Sequence, residues 1–323
     1  MKKLAIGIDL GGTYIKGIVI DKLGHGSHLT RVPTEAHKGG EHVLDKILSL
    51  IDILKTKTTN GEQIIGVGIG TPGFVDADGT VLGGAENIPG WKGVQLNSSV
   101  KHRFGLKAVA LNDVTAATLA ELKYGAGKGV KNMACFALGT GVGGGIIIDN
   151  KVYKGSHGMA GELGHIVVET NGFPCNCGQR GCIEQYASAT GIVRIAREIC
   201  NDLAGKEDGS LINEFSKKPD NITSRLIYEY VNKKDPVALL VNEKFTDMLA
   251  RAIGIVVNIL SPDRIVLGGG VMMAGEVIID SVKRHIPRYC WKDIWQRCDL
   301  TIAKLGEDAG VLGAGALVFE ECP

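Results

Sequence analysis

The sequence predicts an α/β protein of two domains built by internal duplication. Three observations carry that expectation. Leu10 to Asp21 (LGGTYIKGIVID) is echoed at Leu138 to Asp149 (LGTGVGGGIIID), each a glycine turn running into an aliphatic strand that ends in Asp. Strand-type and helix-type runs alternate along the chain. The 323 residues, 44% hydrophobic and 22% charged, suffice for two sizeable cores.

The elements follow in order. Leu4 to Ile8 reads as a first strand, Asp9 to Thr13 as a turn and Gly17 to Ile20 as a second strand. Glu41 to Lys57 sets Val43, Ile47, Leu50, Ile51 and Leu54 on one helical face. Ile64 to Ile69 has the apolar character of a buried strand and ends in GTPG. Val109 to Leu111 leads through Asn112 and Asp113 into VTAATLAELKYG, a small-residue helix suited to close packing on a sheet. Farther on, Ala189 to Leu203 and Val237 to Leu260 have helical periodicity, Arg264 to Leu267 is a strand, and Ala309 to Phe319 is another small-residue helix.

Composition narrows the function classes. A formal net charge of +1 offers no electrostatic reason to expect nucleic acid as a partner. No run approaches the ~18–20 apolar residues of a membrane span, so no membrane association is expected. The N-terminus has a basic start but breaks at Asp9 and a glycine pair, so it reads as a strand and not as a signal peptide. Cys135, Cys200, Cys290, Cys298 and Cys322 lack ligand spacing and are expected as core or surface thiols. Cytoplasmic residence is the resulting expectation.

Four places carry chemistry. A glycine turn between strands presents successive N–H groups that can cradle phosphate oxygens, and Thr13 and Thr140 add hydroxyls to the two turns. A plain hairpin is the alternative; the duplication favours phosphate. Asp9 aligns with Ala137 in the second copy, so one turn keeps a carboxylate able to hold magnesium, directly or through water. Asp113 has two open readings: a helix N-cap, or a carboxylate exposed at a strand–helix junction where ligands meet α/β sheets. Gly268-Gly269-Gly270 is either a plain turn or bare backbone that admits a flat ring.

The most informative stretch is GELGHIVVETNGFPCNCGQRGCIE. His165, Cys175, Cys177 and Cys182 supply one imidazole and three thiolates, the ligand set of a closed structural zinc site. A disulfide is the alternative. Reducing compartments disfavour it, and Cys175 and Cys177 stand too close in sequence to pair easily. Glu162 and Glu184 flank the ligands. Metal-held carboxylates and the free nitrogen of His165 suit recognition of a polyhydroxylated ligand.

Together these pieces resemble the ROK family of sugar kinases and repressors, with its actin-like, ribonuclease H-like duplicated ATPase fold. The resemblance spans essentially the whole chain. It rests on DLGGTYIKG, LND at 111–113, LGTGVGGGIIIDNKVYKGSHGMAGELGH at 138–165 and CNCGQRGCIE at 175–184. It implies Mg-ATP as phosphoryl donor, with Asp9, Gly11, Gly12, Thr13, Gly139, Thr140 and Gly141 at the phosphates and Gly268, Gly269 and Gly270 beside adenosine. It implies zinc on His165, Cys175, Cys177 and Cys182. Asp113 matches the catalytic base, which would accept the proton of a sugar hydroxyl as phosphoryl transfer proceeds. Asn112, Glu162, His165 and Glu184 match sugar contacts. Lys16 is read first as a solvated strand lysine, and second as a further phosphate cation.

The segment GGAENIPGW at 83–91 is similar to the loop of the family's glucose kinases and adds Asn87 to the sugar contacts. Glucose, entering glycolysis as glucose 6-phosphate, is therefore the first expectation. N-acetylglucosamine or N-acetylmannosamine is the alternative. The family also implies a homodimer. A repressor would carry a DNA-binding domain ahead of the first glycine turn, where eight residues precede Asp9. A non-catalytic sugar-binding protein would have no need of Asp9, Asp113 and both turns. The expected domains are a smaller one, 1–113 with 304–323, and a larger one, 114–303, with a cleft between them.

Overall fold

The computed structural model describes residues 1–59, 61–203 and 210–321; Cys322 lies outside them. In chain order the first elements are β1 (Lys2–Leu10), β2 (Tyr14–Ile20), β3 (Gly26–Pro33), α1 (Gly40–Thr56), β4 (Glu62–Thr71), β5 (Phe74–Val75), β6 (Val81–Gly83), α2 (Leu96–Phe104), β7 (Ala108–Asn112) and α3 (Asp113–Tyr124). There follow β8 (Met133–Leu138), β9 (Val142–Ile148), β10 (Lys151–Val152), α4 (Glu184–Ala187), α5 (Ala189–Leu203), α6 (Ser210–Lys217), α7 (Ser224–Asn232) and α8 (Pro236–Leu260). The last are β11 (Arg264–Gly268), α9 (Glu276–His285), α10 (Lys292–Trp295), β12 (Asp299–Ile302) and α11 (Ala309–Glu321).

The two main sheets repeat one order: β3-β2-β1-β4-β7 and β10-β9-β8-β11-β12. In the first, β1 runs antiparallel to β2 and parallel to β4, and β4 is parallel to β7. In the second, β11 is parallel to both β8 and β12. Strands β1 and β8 hold the same central place, and each is followed by its glycine turn. The expected duplication is therefore present as topology.

By chain contacts the protein divides into two compact units, 1–131 with 145–161 and the segment from 304, and 132–144 with 162–303. This differs from the expected division: 114–131 and 145–161 belong to the first unit. The reason is close packing. A Cβ on Gly313 of α11 would overlap the Ala116 carbonyl of α3, and one on Gly68 of β4 would overlap the Ala314 carbonyl of α11. Helix α3 thus shares a face of the first sheet with α11. Gly158 likewise lies against the Val75 carbonyl.

On the sheet's other face, Val43, Ile47, Leu50, Ile51 and Leu54 of α1 are buried in one core with Ile6, Ile8, Ile15, Val67 and Ile69. Each such side chain contributes about 1.5–3 kcal/mol by leaving water. In the second unit α8 is the central helix. Asp235 caps it by accepting from the Ala238 N–H at 2.9 Å, and Pro236 pre-sets its first turn. Its buried Phe245, Leu249, Ile253 and Val257 face packing partners that include α5 and α9. No helix among the described residues is long and apolar enough to cross a membrane.

Candidate active site

Asp9, near the end of β1, pairs in register with Lys16 of β2. Its carboxyl group is pushed up to about 6 from an ordinary 3.8, first by burial and then by Asp113, with Lys16 opposing and Asp308 adding to the rise. Lys16 is not the solvated lysine expected from its strand position. Its side chain is 15% exposed, and Nζ donates to the Glu307 carbonyl at 2.5 Å with the Glu307 carboxylate at 3.8 Å. The turn that follows Asp9 leaves Gly12 and Thr13 exposed, and a Cβ at Gly12 would meet nothing within 4 Å. Neither packing nor a left-handed φ requires glycine at that position. Its bare backbone therefore leaves room for a ligand.

The cap of α3 lies one residue before Asp113, and Asp113 itself is half-buried, not exposed as the second reading expects. Asn112, with φ −59° and ψ 143°, is the N-cap of α3; its Oδ1 accepts from the N–H groups of Val114 (3.0 Å) and Thr115 (3.1 Å). Asn112 Nδ2 donates to the Gly73 carbonyl at 3.2 Å. Asp113 is thus the first helical residue and not the cap. Its Oδ1 accepts from Val114 N–H at 2.8 Å. Burial raises its pKa, against the Val114 N–H and its own, which lower it. Asp9 and Asp113 come together around Gly70, where a Cβ would lie 3.5 Å from Asp113 Cα and 3.7 Å from Asp9 Oδ1.

Thr71, paired in register with Asn112, accepts from Trp91 Nε1 at 2.9 Å, which pins the loop carrying Asn87 beside these strand ends. Asn87 itself is exposed on that loop. A cavity of about 520 Å³ in this unit has Asn112, Thr115, Tyr153 and Lys154 among its walls, but neither Asn87 nor Asp113.

In the second unit the turn Gly139-Thr140-Gly141 closes by a Gly139 N–H to Gly141 carbonyl bond of 2.9 Å. Ala189 N–H donates to the Gly139 carbonyl at 2.8 Å. Glu184 braces the same turn: its Oε2 accepts from Val142 N–H at 3.0 Å and would lie 2.6 Å from a Cβ on Gly141. Thr190 Oγ1 donates to the Thr140 carbonyl at 3.4 Å and lines a cavity of about 470 Å³ with Val193, Arg194, Ile222 and Thr223. At the third glycine run, Gly269 has φ 87° and packs on the Leu138 backbone, a turn that demands glycine. Gly270 faces open space.

The donor atoms of His165, Cys175, Cys177 and Cys182 all lie within 4.8 Å of one another. His165 Nδ1 is 3.6 Å from Cys175 Sγ, and Cys177 Sγ is 3.6 Å from Cys182 Sγ. Tetrahedral zinc, with Zn–S about 2.3 Å and Zn–N about 2.0–2.1 Å, holds its donors about 3.5–3.8 Å apart. The residues fit the ion. No disulfide joins them. Burial, then the neighbouring Cys177 and Cys175, push Cys182 up to about 12, a cost that a bound dication would offset. With Nδ1 among the sulfurs, His165 Nε2 points elsewhere and lies 3.8 Å from Glu162 Oε2.

The model of the ROK family matches residues 5–321. The chain belongs to the ROK family. Its relatives include the glucokinase of Halalkalibacterium halodurans, 36% identical over 98% of this chain and 95% of that one. The glucokinase of Thermotoga maritima is 34% identical over 98% and 97%. Among solved structures, a ROK family glucokinase from Streptomyces griseus in complex with glucose and AMPPNP is 34% identical, covers 98% of this chain and 99% of its own, and has a TM-score of 0.77.

The fold of this ROK protein is the duplicated, actin-like α/β fold. Of the predicted residues, the structure brings Asp9, Lys16 and Asp113 together in one unit, and His165 with its three cysteines in the other. Glu184 stands at the second turn as well as next to the cysteine loop. Sequence reasoning missed Glu307 and Gly310, which meet Lys16 and Asp9 from the far end of the chain. It also missed Thr190 beside Thr140. Nothing local in the sequence marks these partners.

Proposed function

We propose that this protein transfers the γ-phosphoryl group of ATP to a hexose, with glucose as the preferred acceptor and glucose 6-phosphate as product. The observation that carries the mechanism is the division of labour at the head of α3. Asn112 is the residue that caps the helix, and the adjacent Asp113, although its Oδ1 also accepts from the Val114 N–H, is assigned to the chemistry. Burial makes Asp113 a stronger proton acceptor than a solvated carboxylate. It serves as the general base toward the sugar hydroxyl. The glucokinase names of relatives at 34–36% identity support this choice of substrate.

Asn87, Asn112, Asp113, Glu162, His165 and Glu184 are assigned to sugar hydroxyls. Gly11, Gly12, Thr13 and Lys16, with Gly139, Thr140 and Gly141, are assigned to ATP phosphates, and Gly268, Gly269 and Gly270 to the adenosine border. Asp9 is the carboxylate that would hold magnesium. The fit rests on Asp9 lying beside two further carboxyl groups, Asp113 and Asp308, with Lys16 as the opposing charge. When bound, magnesium supplies charge neutralisation at the phosphates. Zinc on His165 and the three cysteines has a structural role, fixing the tautomer of His165 and the position of its free nitrogen. The same reading makes the protein a cytoplasmic homodimer that feeds glycolysis.

Coupled measurement of ADP release tests the reading, with glucose, N-acetylglucosamine, N-acetylmannosamine and no sugar in parallel. The highest kcat/KM is expected with glucose. ADP release that no hexose raises above the sugar-free rate would overturn the proposal.

A further inference from the structure

We infer that Thr34 is a positioning residue for the first glycine turn, setting the direction in which its peptide groups face a phosphate. The inference rests on the ATP-dependent reading above. Thr34 directly follows β3, is fully buried, and stands 23 residues from Gly11 in sequence. Its hydroxyl donates to the Gly11 carbonyl at 2.7 Å, and its N–H donates to the Thr13 carbonyl at 2.9 Å. One side chain and one backbone group thus take up two carbonyl oxygens of the turn.

The consequence follows from peptide planarity. In a trans peptide the C=O and the following N–H point in opposite directions. With the Gly11 and Thr13 carbonyls aimed at Thr34, the N–H groups of Gly12 and Tyr14 point away from it. A phosphate approaching from the side opposite Thr34 meets donors, where rotated peptides would present repelling carbonyl oxygens. The turn needs such a brace. The Gly11 N–H donates to the Tyr14 carbonyl at 3.1 Å and ties the two ends of the turn, but a Cβ at Gly12 would meet nothing within 4 Å, so no packing at Gly12 holds the peptides between those ends. Thr34 itself is held in place by Pro33, which pairs in register with Tyr14.

Thr34→Val keeps the shape of the side chain but removes the donor, leaving the Gly11 carbonyl without its hydroxyl partner. Thr34→Ser restores the hydroxyl. The readouts are the KM for Mg-ATP and for glucose, and the calorimetric Kd for Mg-AMPPNP, which needs no turnover. In Thr34→Val the nucleotide KM and Kd should rise about fivefold or more, the range that losing a buried hydrogen bond allows. The KM for glucose should stay within about twofold, and Thr34→Ser should recover most of the loss. Thr34→Ala provides the same test should the valine variant not fold. Unchanged nucleotide affinity in a folded hydroxyl-less variant, with only a lower Tm, would reduce Thr34 to a packing residue and overturn the inference. Wild-type protein that fails to bind Mg-AMPPNP would instead sink the ATP-dependent reading itself.

Discussion

The carboxyl group of Asp9 packs directly on the bare Cα of Gly310. A Cβ at Gly310 would lie 2.8 Å from both Cγ and Oδ1 of Asp9. Gly310 is the second residue of α11, so the Asp9 carboxyl group packs on the first turn of that helix. Gly310→Ala should displace Asp9 and cost about 1–3 kcal/mol by overpacking. In an Asp9→Ala background the same change should cost markedly less, because the clashing atoms are gone. Urea unfolding of the four proteins gives the coupling. Equal costs in the two backgrounds would contradict the contact.

Asp9 also makes stability depend on pH. Its folded pKa of about 6 exceeds the ordinary 3.8, so between these values the folded chain holds a proton that the unfolded chain has lost. Stability from this group is present below about 4 and disappears as pH rises through about 6, by up to about 3 kcal/mol. Asp113, raised in the same direction, adds to the trend. Asp9→Asn cannot ionise. Its Tm advantage over the wild type, both without ligand, should therefore be larger at pH 7.5 than at pH 4.5. An equal difference at the two pH values would show that Asp9 titrates normally.

Cys177→Ser removes one of four donors from a cluster whose spacing matches zinc. Zinc per chain should fall below about half an equivalent, and Tm by roughly 5 °C or more, since binding energy at such a site is folding energy. Sugar affinity should weaken as well, through the loop that carries Glu162 and His165. Metal analysis of protein purified without chelators is the check. A wild type with well under half an equivalent of zinc and full activity would remove the structural role of the metal.

Much of this arrangement is legible in the sequence because it is written locally. The duplication shows in two glycine turns that lead into aliphatic strands, and α1 in the spacing of Val43, Ile47, Leu50, Ile51 and Leu54. The cysteine cluster shows in ligand types and close spacing. What was not legible depends on distant parts of the chain or on a single dihedral pair. Lys16 is drawn to a carbonyl 291 residues away, so its own strand could only suggest a solvated side chain. Asn112 and Asp113 are both good cap residues, and the extended ψ of Asn112 decides between them. The unit that claims α3 is set by Gly313 against Ala116, a contact that neither segment announces.

The base assignment of Asp113 is tested most directly by the turnover of Asp113→Asn with ATP and glucose, alongside its glucose affinity. The amide keeps the shape of the side chain and some of its hydrogen bonding but cannot accept the proton. Loss of a general base costs about 10²–10⁴ in rate. Turnover should fall by that factor while glucose affinity stays within about tenfold of the wild type. A variant that keeps more than about a tenth of wild-type turnover, against the factor expected for a lost general base, would contradict the assignment of Asp113.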